Sequence, residues 1–207
     1  MRPLPRLHAV TDASILNDPD LRTRAAAIAA AGPAVALHVR DRTAPAEALA
    51  RAALQLLALA RPSEAALFVN GRPDLAAAVG ADGVQLSATD LSPEDARRVF
   101  SSGWVGRSVH SEVEADAAVA EGADYLLVGS VYPSASHPGQ PPVGIELVRR
   151  VSRLGRPVIA IGGIDAARAA EVRAAGAYGI AAVSALWRAD DPAAAAFALL
   201  EPWTEAA

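Results

Sequence analysis

The sequence predicts an α/β protein that folds as a single (β/α)8 TIM barrel over residues 1–207. Two observations predict this class: short apolar runs rich in β-branched residues alternate with longer alanine-rich segments, and the runs are eight in number. Strands that are apolar throughout and alternate with helices belong to parallel sheets, since both faces of such sheets are buried. The predicted strands are residues 6–12, 35–40, 65–70, 82–86, 104–109, 125–129, 157–163 and 178–184.

The chain length suits a small barrel. Eight strand–helix units in 207 residues allow about 26 residues per unit, which is short but feasible. Helices are predicted over 45–60, 92–100 and 165–176, and the last two open with a capping residue. A doubly wound open sheet is the alternative, but it usually has fewer strands, and no GxGxxG motif follows the first strand.

A glycine turn recurs where helices meet the next strand. It reads "VGAD" at 79–82, "EGAD" at 121–124 and "AAGAY" at 174–178. Glycine accommodates the left-handed conformation that ends many helices. These glycines are therefore predicted to be structural, and the chemistry is expected at the opposite end of the barrel.

Composition excludes several classes of function. The chain is 52% hydrophobic with a formal net charge of −4, and it contains neither cysteine nor lysine. Disulfides, thiolate metal sites, lysine Schiff bases and a P-loop lysine are thereby excluded. No basic patch indicates nucleic acid, and no apolar run approaches the roughly 18 residues of a membrane span. The expectation is a cytoplasmic protein with no nucleic-acid or membrane partner, which could form a homodimer.

Polar residues at the carboxyl ends of the strands are the candidates for a binding site. Arg40 and Arg42, alternating residues at a strand end, could bind a substrate carboxylate with their planar donor groups, although an ion pair with Asp41 or Asp12 is the alternative. The Pro-, Ser- and Gly-rich segment 132–144 could close over a ligand. The predicted substrate-binding residues are His38, Arg40, Asn70, Gln85, Ser108, Ser134 and Ser136.

A phosphate site is predicted at the ends of the last two strands. Gly162 and Gly163 would expose backbone amides, and a following helix would direct its N-terminal dipole at the anion. Val183 and Ser184, at the end of the eighth predicted strand, would complete the site. The alternative is that the two glycines only form a tight turn.

Several motifs along most of the chain resemble one family. They are "LHAVTD", "LHVRDR", "LFVNGRPDLAAAVGADGVQL", "GRSVHS", "ADYLLVGSVYPSASHPG", "PVIAIGGI" and "GIAAVSAL". Together they resemble the thiamine phosphate synthase and TenI superfamily of small phosphate-binding barrels. The synthase branch implies Gln-x-Arg-x-Lys on strand two, Asn-Asp on strand three and Thr-x-Thr-Lys after strand six.

The sequence departs from the synthase pattern at these positions. His38, Arg40 and Arg42 replace the first set, and Gly71 replaces the aspartate after Asn70. Ser134, Ser136 and His137 replace the two threonines and the lysine, and Asp90 alone remains of the two acidic magnesium positions that the resemblance implies. Fewer charges would bind a departing pyrophosphate and its cation. Synthase activity is therefore not the expected one.

The TenI branch resembles the chain more closely, above all in "GRSVHS". This resemblance implies an isomerase, a thiazole tautomerase that moves a proton on a phosphorylated carboxythiazole and needs no metal or cofactor. His110 would be the proton shuttle, because an imidazole can both remove and return a proton near neutral pH. Otherwise His110 caps a helix or lies in solvent. A catalytically silent phosphate-binding barrel and a thiamine phosphate synthase remain the alternative functions.

Overall fold

A closed barrel of eight parallel strands forms the centre of the molecule. The computed structural model describes residues 2–134, 139 and 141–204. Each strand pairs with the next in the chain, and β8 returns to pair with β1. In the described residues the strands are β1 (Leu7–Val10), β2 (Val35–Val39), β3 (Ala66–Asn70), β4 (Gly83–Leu86), β5 (Trp104–Val109), β6 (Tyr125–Gly129), β7 (Val158–Ile161) and β8 (Gly179–Ala182). The predicted (β/α)8 fold is confirmed.

Helices surround the barrel and connect its strands. In the described residues they are α1 (Ala13–Leu16), α2 (Leu21–Ala29), α3 (Ala46–Ala60), α4 (Pro73–Val79), α5 (Pro93–Val99), α6 (Glu112–Ala120), α7 (Ile145–Val151), α8 (Ala166–Ala174), α9 (Ser184–Trp187) and α10 (Pro192–Thr204). The two predicted caps are present, because the side chains of Ser92 and Asp165 accept hydrogen bonds from the amides of Asp95 and Arg168. No helix in the described ranges is both long and apolar enough to cross a membrane.

Two hydrophobic cores result from the alternation of side chains along the strands. The outer core packs the strands against the helices. The inner core fills the barrel with residues that include Ala36, Phe68, Tyr125 and Ile159. Because both faces are covered, the strands are buried along nearly their whole length.

The recurring glycine turns have the predicted conformation. Gly80, Gly122 and Gly176 have φ angles of 68°, 85° and 97°. The aspartate of the repeat has a role that the sequence did not indicate. Asp82 Oδ2 accepts from the amide of Leu67, and Asp124 Oδ2 accepts from the amide of Val105, at 2.9 and 2.8 Å. Each carboxylate thus satisfies an amide near the amino end of the strand before its own.

Candidate active site

A line of hydrogen-bonded polar side chains crosses the barrel interior toward its mouth. His8 Nε2 lies 3.1 Å from the carbonyl oxygen of Pro5, and His8 Nδ1 lies 2.8 Å from His38 Nε2. His38 Nδ1 in turn lies 2.9 Å from Oδ1 of Asn70, the last residue of β3. His38 is buried, so this predicted substrate-binding residue reaches the mouth only through Asn70.

Both histidines are neutral at pH 7. Burial lowers the pKa of His38 to about 4. Burial, and secondarily the proximity of His38, lowers the pKa of His8 well below its usual value. The ring of Phe68 stacks on that of His38 with centroids 5.0 Å apart, which keeps solvent away from the pair.

Gln85 and Ser108 form the wall beside Asn70. Gln85 pairs with Asn70 in the sheet register, and its Nε2 donates to Ser108 Oγ at 3.0 Å and to the carbonyl of Leu86 at 3.1 Å. Gln85 is buried, and its Oε1 has no hydrogen-bond partner among the described residues. Ser108, which is partly exposed, is the member of this pair that lies nearer the mouth.

Arg40 and Arg42 provide positive charge at the end of β2. The backbone amide of Arg40 is held by Thr11 Oγ1 at 2.9 Å. The anticipated ion pairs are not found among the described residues, because Asp12 Oδ1 accepts from Ser14 and the amide of Ile15 instead. Burial and the neighbouring Arg42 lower the pKa of Arg40, but a guanidinium stays charged in proteins. The pair can therefore bind an anion.

His110 lies at the outer rim, directly before α6. Its side chain is 55% exposed, and its Nδ1 lies 3.1 Å from Glu114 Oε2. The same carboxylate oxygen accepts from the amide of His110 at 2.7 Å, while Ser111 caps the helix through the amide of Glu114. This arrangement fits the alternative in which His110 belongs to a helix start and faces solvent.

The two glycines after β7 permit a close crossing of backbone. A Cβ on Gly162 would lie 1.9 Å from Ser130 Oγ, and one on Gly163 would lie 2.5 Å from the carbonyl oxygen of Pro133. Their φ angles of 103° and 64° also favour glycine. The tight turn by itself requires glycine at both positions, so the two glycines are not evidence for a phosphate site. Arg168 fixes the turn by donating to the carbonyl of Gly163 at 2.5 Å.

The helix that could assist a phosphate is not the one after β7. Asp165 caps α8 and places a carboxylate at its N-terminus, which disfavours a second anion there. Helix α9 begins at Val183 and Ser184, and in the described ranges no side chain caps its first amides. A phosphate at this edge of the barrel would therefore have the glycine turn and the start of α9 as its candidate partners, and the site stays a prediction.

Asp90 is the carboxylate that could bind a divalent cation. Its Oδ2 accepts from the amide and hydroxyl of Ser87 at 2.6 and 2.8 Å. Arg107 donates to the carbonyl of Leu91 at 2.9 Å and so fixes the loop that carries Asp90. Mg²⁺ is commonly held by one or two carboxylates together with substrate phosphates, and Asp90 fits the one-carboxylate arrangement.

The described ranges contain no group of three or more His, Cys, Asp or Glu side chains placed to hold a metal ion by themselves. The loop after β6 is described only in part. Ser134 is within the described residues, whereas Ser136 and His137 lie outside them. The sequence interpretation assigned no role to Ser87 or Arg107, because their roles depend on contacts with the Asp90 loop that residue spacing does not indicate.

The closed parallel sheet, its surrounding helices and the polar groups at the carboxyl ends of the strands place this protein in the class of (β/α)8 barrels. The family model described as "Thiamine monophosphate synthase" (TMP-TENI) matches residues 7–186. The chain belongs to this family, which serves thiamine biosynthesis.

Individual relatives agree with the family model. A thiamine-phosphate synthase of Thermus thermophilus is 49% identical over 149 residues, which are 71% of this chain and 72% of that protein. One of Salinispora arenicola is 43% identical over 208 residues, or 99% of this chain and 100% of the relative. The solved thiamine phosphate pyrophosphorylase of Pyrococcus furiosus superposes with a TM-score of 0.83 at 33% identity, covering 97% and 96% of the two chains.

These relatives correct one expectation. The isomerase activity inferred from the TenI branch is wrong, because relatives up to 49% identical are named thiamine-phosphate synthases, which are transferases. The proton transfer that was expected of His110 belonged to that isomerase reaction, so the same finding contradicts it. The His110 ring, which was expected to face a substrate at the barrel mouth, is instead exposed and contacts Glu114.

Proposed function

We propose that the protein is a thiamine-phosphate synthase, which joins a phosphorylated thiazole to an aminopyrimidine carrying a pyrophosphate. The observation that carries the proposal is the identity of 43% to a synthase along 99% of this chain. The charges at the barrel mouth support it, because both substrates are anions and Arg40 and Arg42 have no ion-pair partner among the described residues.

The reaction forms one bond and breaks one. The thiazole ring nitrogen donates its lone pair to the methylene carbon attached to the pyrimidine. The carbon–oxygen bond to pyrophosphate breaks, and its electron pair leaves with that group. The nitrogen becomes a thiazolium cation, so no proton has to be removed from either substrate.

The arginines would stabilise the leaving group. Negative charge accumulates on the pyrophosphate oxygens as the carbon–oxygen bond breaks, and fixed cations stabilise that charge more in a partly dehydrated site than in water. Arg40 is partly buried and Arg42 lies two residues further along the chain. When bound through Asp90, Mg²⁺ would neutralise further charge on the same oxygens.

The thiazole phosphate would bind on the other side of the mouth. The turn at Gly162 and Gly163 and the start of α9 at Ser184 can donate backbone amides to phosphate oxygens. Asn70 and Ser108 lie on β3 and β5 and would line the pocket for the pyrimidine ring. Ser134 follows β6 and would lie beside the thiazole. Each substrate would thus have its own anion-binding group.

Pyrophosphate release with both substrates and Mg²⁺ is the direct test, with thiamine phosphate identified by chromatography. Wild type should produce the two products in equal amounts. Arg40→Gln should lower kcat/KM by about 100-fold, since a charged contact to the leaving group is lost. Arg98→Gln is the matched control, because Arg98 is an exposed arginine of α5 paired with Glu94 and Asp95.

Failure of the wild type to release pyrophosphate would contradict the proposal, because the protein would then not be a synthase. If it also binds the thiazole phosphate in calorimetry without turnover, the catalytically silent phosphate-binding barrel becomes the better explanation, and the replacement of an acidic position by Gly71 supplies its physical reason.

A further inference from the structure

The carbonyl of Pro5 fixes the direction of the buried hydrogen bonds between His8, His38 and Asn70. A backbone carbonyl oxygen can only accept, so His8 Nε2 must carry the proton in their 3.1 Å contact. Neutral His8 then has a bare Nδ1, which accepts from Nε2–H of His38 at 2.8 Å. The proton of neutral His38 is thereby assigned to Nε2, and its Nδ1 must accept.

This assignment determines the orientation of the Asn70 amide. A bare His38 Nδ1 cannot donate to an amide oxygen 2.9 Å away, so the amide group must present its Nδ2–H2 at that place. The oxygen then points away from His38. The opposite assignment would set a bare His8 Nε2 against the Pro5 carbonyl, which would leave two acceptors in contact inside the barrel.

We infer that His8 and His38 are positioning residues, which turn the carbonyl oxygen of Asn70 toward the barrel mouth so that β3 recognises a hydrogen-bond donor. The donor is the exocyclic amine of the pyrimidine, an identity that rests on the proposed function. A phosphate oxygen would be repelled by the carbonyl, because both are acceptors. Phosphate groups have better partners at Arg40 and at the glycine turn.

The position of Asn70 suits this role. It is the last residue of β3, partly exposed, and the glycine that follows carries no side chain to cover it. His38 is packed against Phe68, and His8 is fully buried at ring-centroid distances of 5.3 Å from Phe68 and 5.6 Å from Tyr125. This burial keeps water from competing for the hydrogen bonds of the two rings, and these bonds hold the amide orientation from beneath.

The protonation of each ring nitrogen can be measured directly. Long-range ¹H–¹⁵N spectra of the ¹⁵N-labelled chain distinguish the two neutral tautomers and the cation. At pH 7 His8 and His38 should both be neutral with the proton on Nε2. A proton on Nδ1 of His38 would overturn the inference, because His38 would then donate to the Asn70 oxygen.

A substitution far from the mouth tests the functional consequence. His8→Leu removes the acceptor for His38 Nε2–H, so His38 should move its proton to Nδ1 and the Asn70 amide should turn its oxygen inward. Binding of the aminopyrimidine pyrophosphate should weaken about tenfold, as expected for one lost hydrogen bond. Binding of the analogue without the amine should not change. An unchanged ratio between the two ligands would refute the inference.

Phe68→Leu is the control for altered packing. It removes the ring stacked on His38 but none of the hydrogen bonds, so both tautomers and the ligand ratio should stay as in wild type. The spectra do not depend on turnover. A chain with both Nε2–H tautomers but no pyrophosphate release would therefore refute the proposed function while supporting the positioning of Asn70.

Discussion

Asp90 occupies the space above Gly71. A Cβ on Gly71 would stand 3.1 Å from Asp90 Oδ1, which is closer than most Cβ atoms lie to any neighbouring atom. The synthase pattern that this chain resembles has an aspartate at this position. Because glycine has no side chain, the carboxylate of Asp90 can lie over the end of β3. The other oxygen of Asp90 is held by Ser87, so this orientation is fixed.

Asp90→Asn should raise the Mg²⁺ concentration needed for half-maximal pyrophosphate release by about tenfold or more, because the one carboxylate proposed to bind the cation is lost. The amide retains one oxygen that can accept from Ser87, so the loop should keep its position. Activity titrated with Mg²⁺ measures the effect. Asp116→Asn, an exposed change on α6, is the control. Equal Mg²⁺ dependence in all three proteins would show that Asp90 holds no cation.

His110→Ala should change kcat by less than about threefold. Formation of the carbon–nitrogen bond transfers no proton, and the His110 ring is exposed and bonded to Glu114. Steady-state rates with both substrates saturating provide the measurement, with Arg40→Gln as the contrasting variant. A loss of 100-fold or more in His110→Ala would restore a catalytic role to this histidine.

Gly163→Ala should lower the free energy of unfolding by about 3 kcal/mol, since a left-handed φ of 64° and the crossing at Pro133 both oppose a Cβ. Gly155→Ala separates the two causes. Gly155 has a φ of 75° but open space around its Cβ position, so the change should cost only about 1 kcal/mol. Urea unfolding of both variants gives the difference. Equal losses would mean that the backbone crossing adapts to the extra methyl group.

The protein should lose stability between pH 6.5 and pH 4 because of the buried histidines. The folded-state pKa of His38 is lowered to about 4, so in this window the unfolded chain binds a proton that the folded chain does not. The stabilisation present above pH 6.5 is thus lost as the pH falls. For His38 alone the loss amounts to about 3 kcal/mol.

His38→Gln should flatten this acid-side decrease in the free energy of unfolding, measured by urea titrations at pH 7, 6 and 5. The neighbouring His8 faces His38 and keeps its own contribution. If His38→Gln has the wild-type slope, His38 is not the buried group that resists protonation.

The strands and caps could be predicted because they depend on local chemistry. Apolar runs bounded by turns gave all eight strands within two residues at each end, and Ser92 and Asp165 marked helix starts because their short side chains reach amides three residues away. The glycines of the αβ turns were likewise predictable, since a left-handed φ is a property of one residue. The candidate site was less accessible, because strand ends indicate which residues share a rim but not which of them touch.

The sequence by itself determined the closed barrel of parallel strands and the rim on which Arg40, Asn70, Gly162 and Ser184 lie. Strands, helices and turns each depend on the chemistry of a few neighbouring residues, and their alternation along the chain indicates the barrel. Only the tertiary structure decided that His38 is buried beneath Asn70, that Asp165 closes α8 to an anion, and that Asp90 lies over Gly71. The residues in these contacts are brought together by the closure of the barrel and by the course of its loops. Contacts of this kind produce no periodic pattern in the sequence.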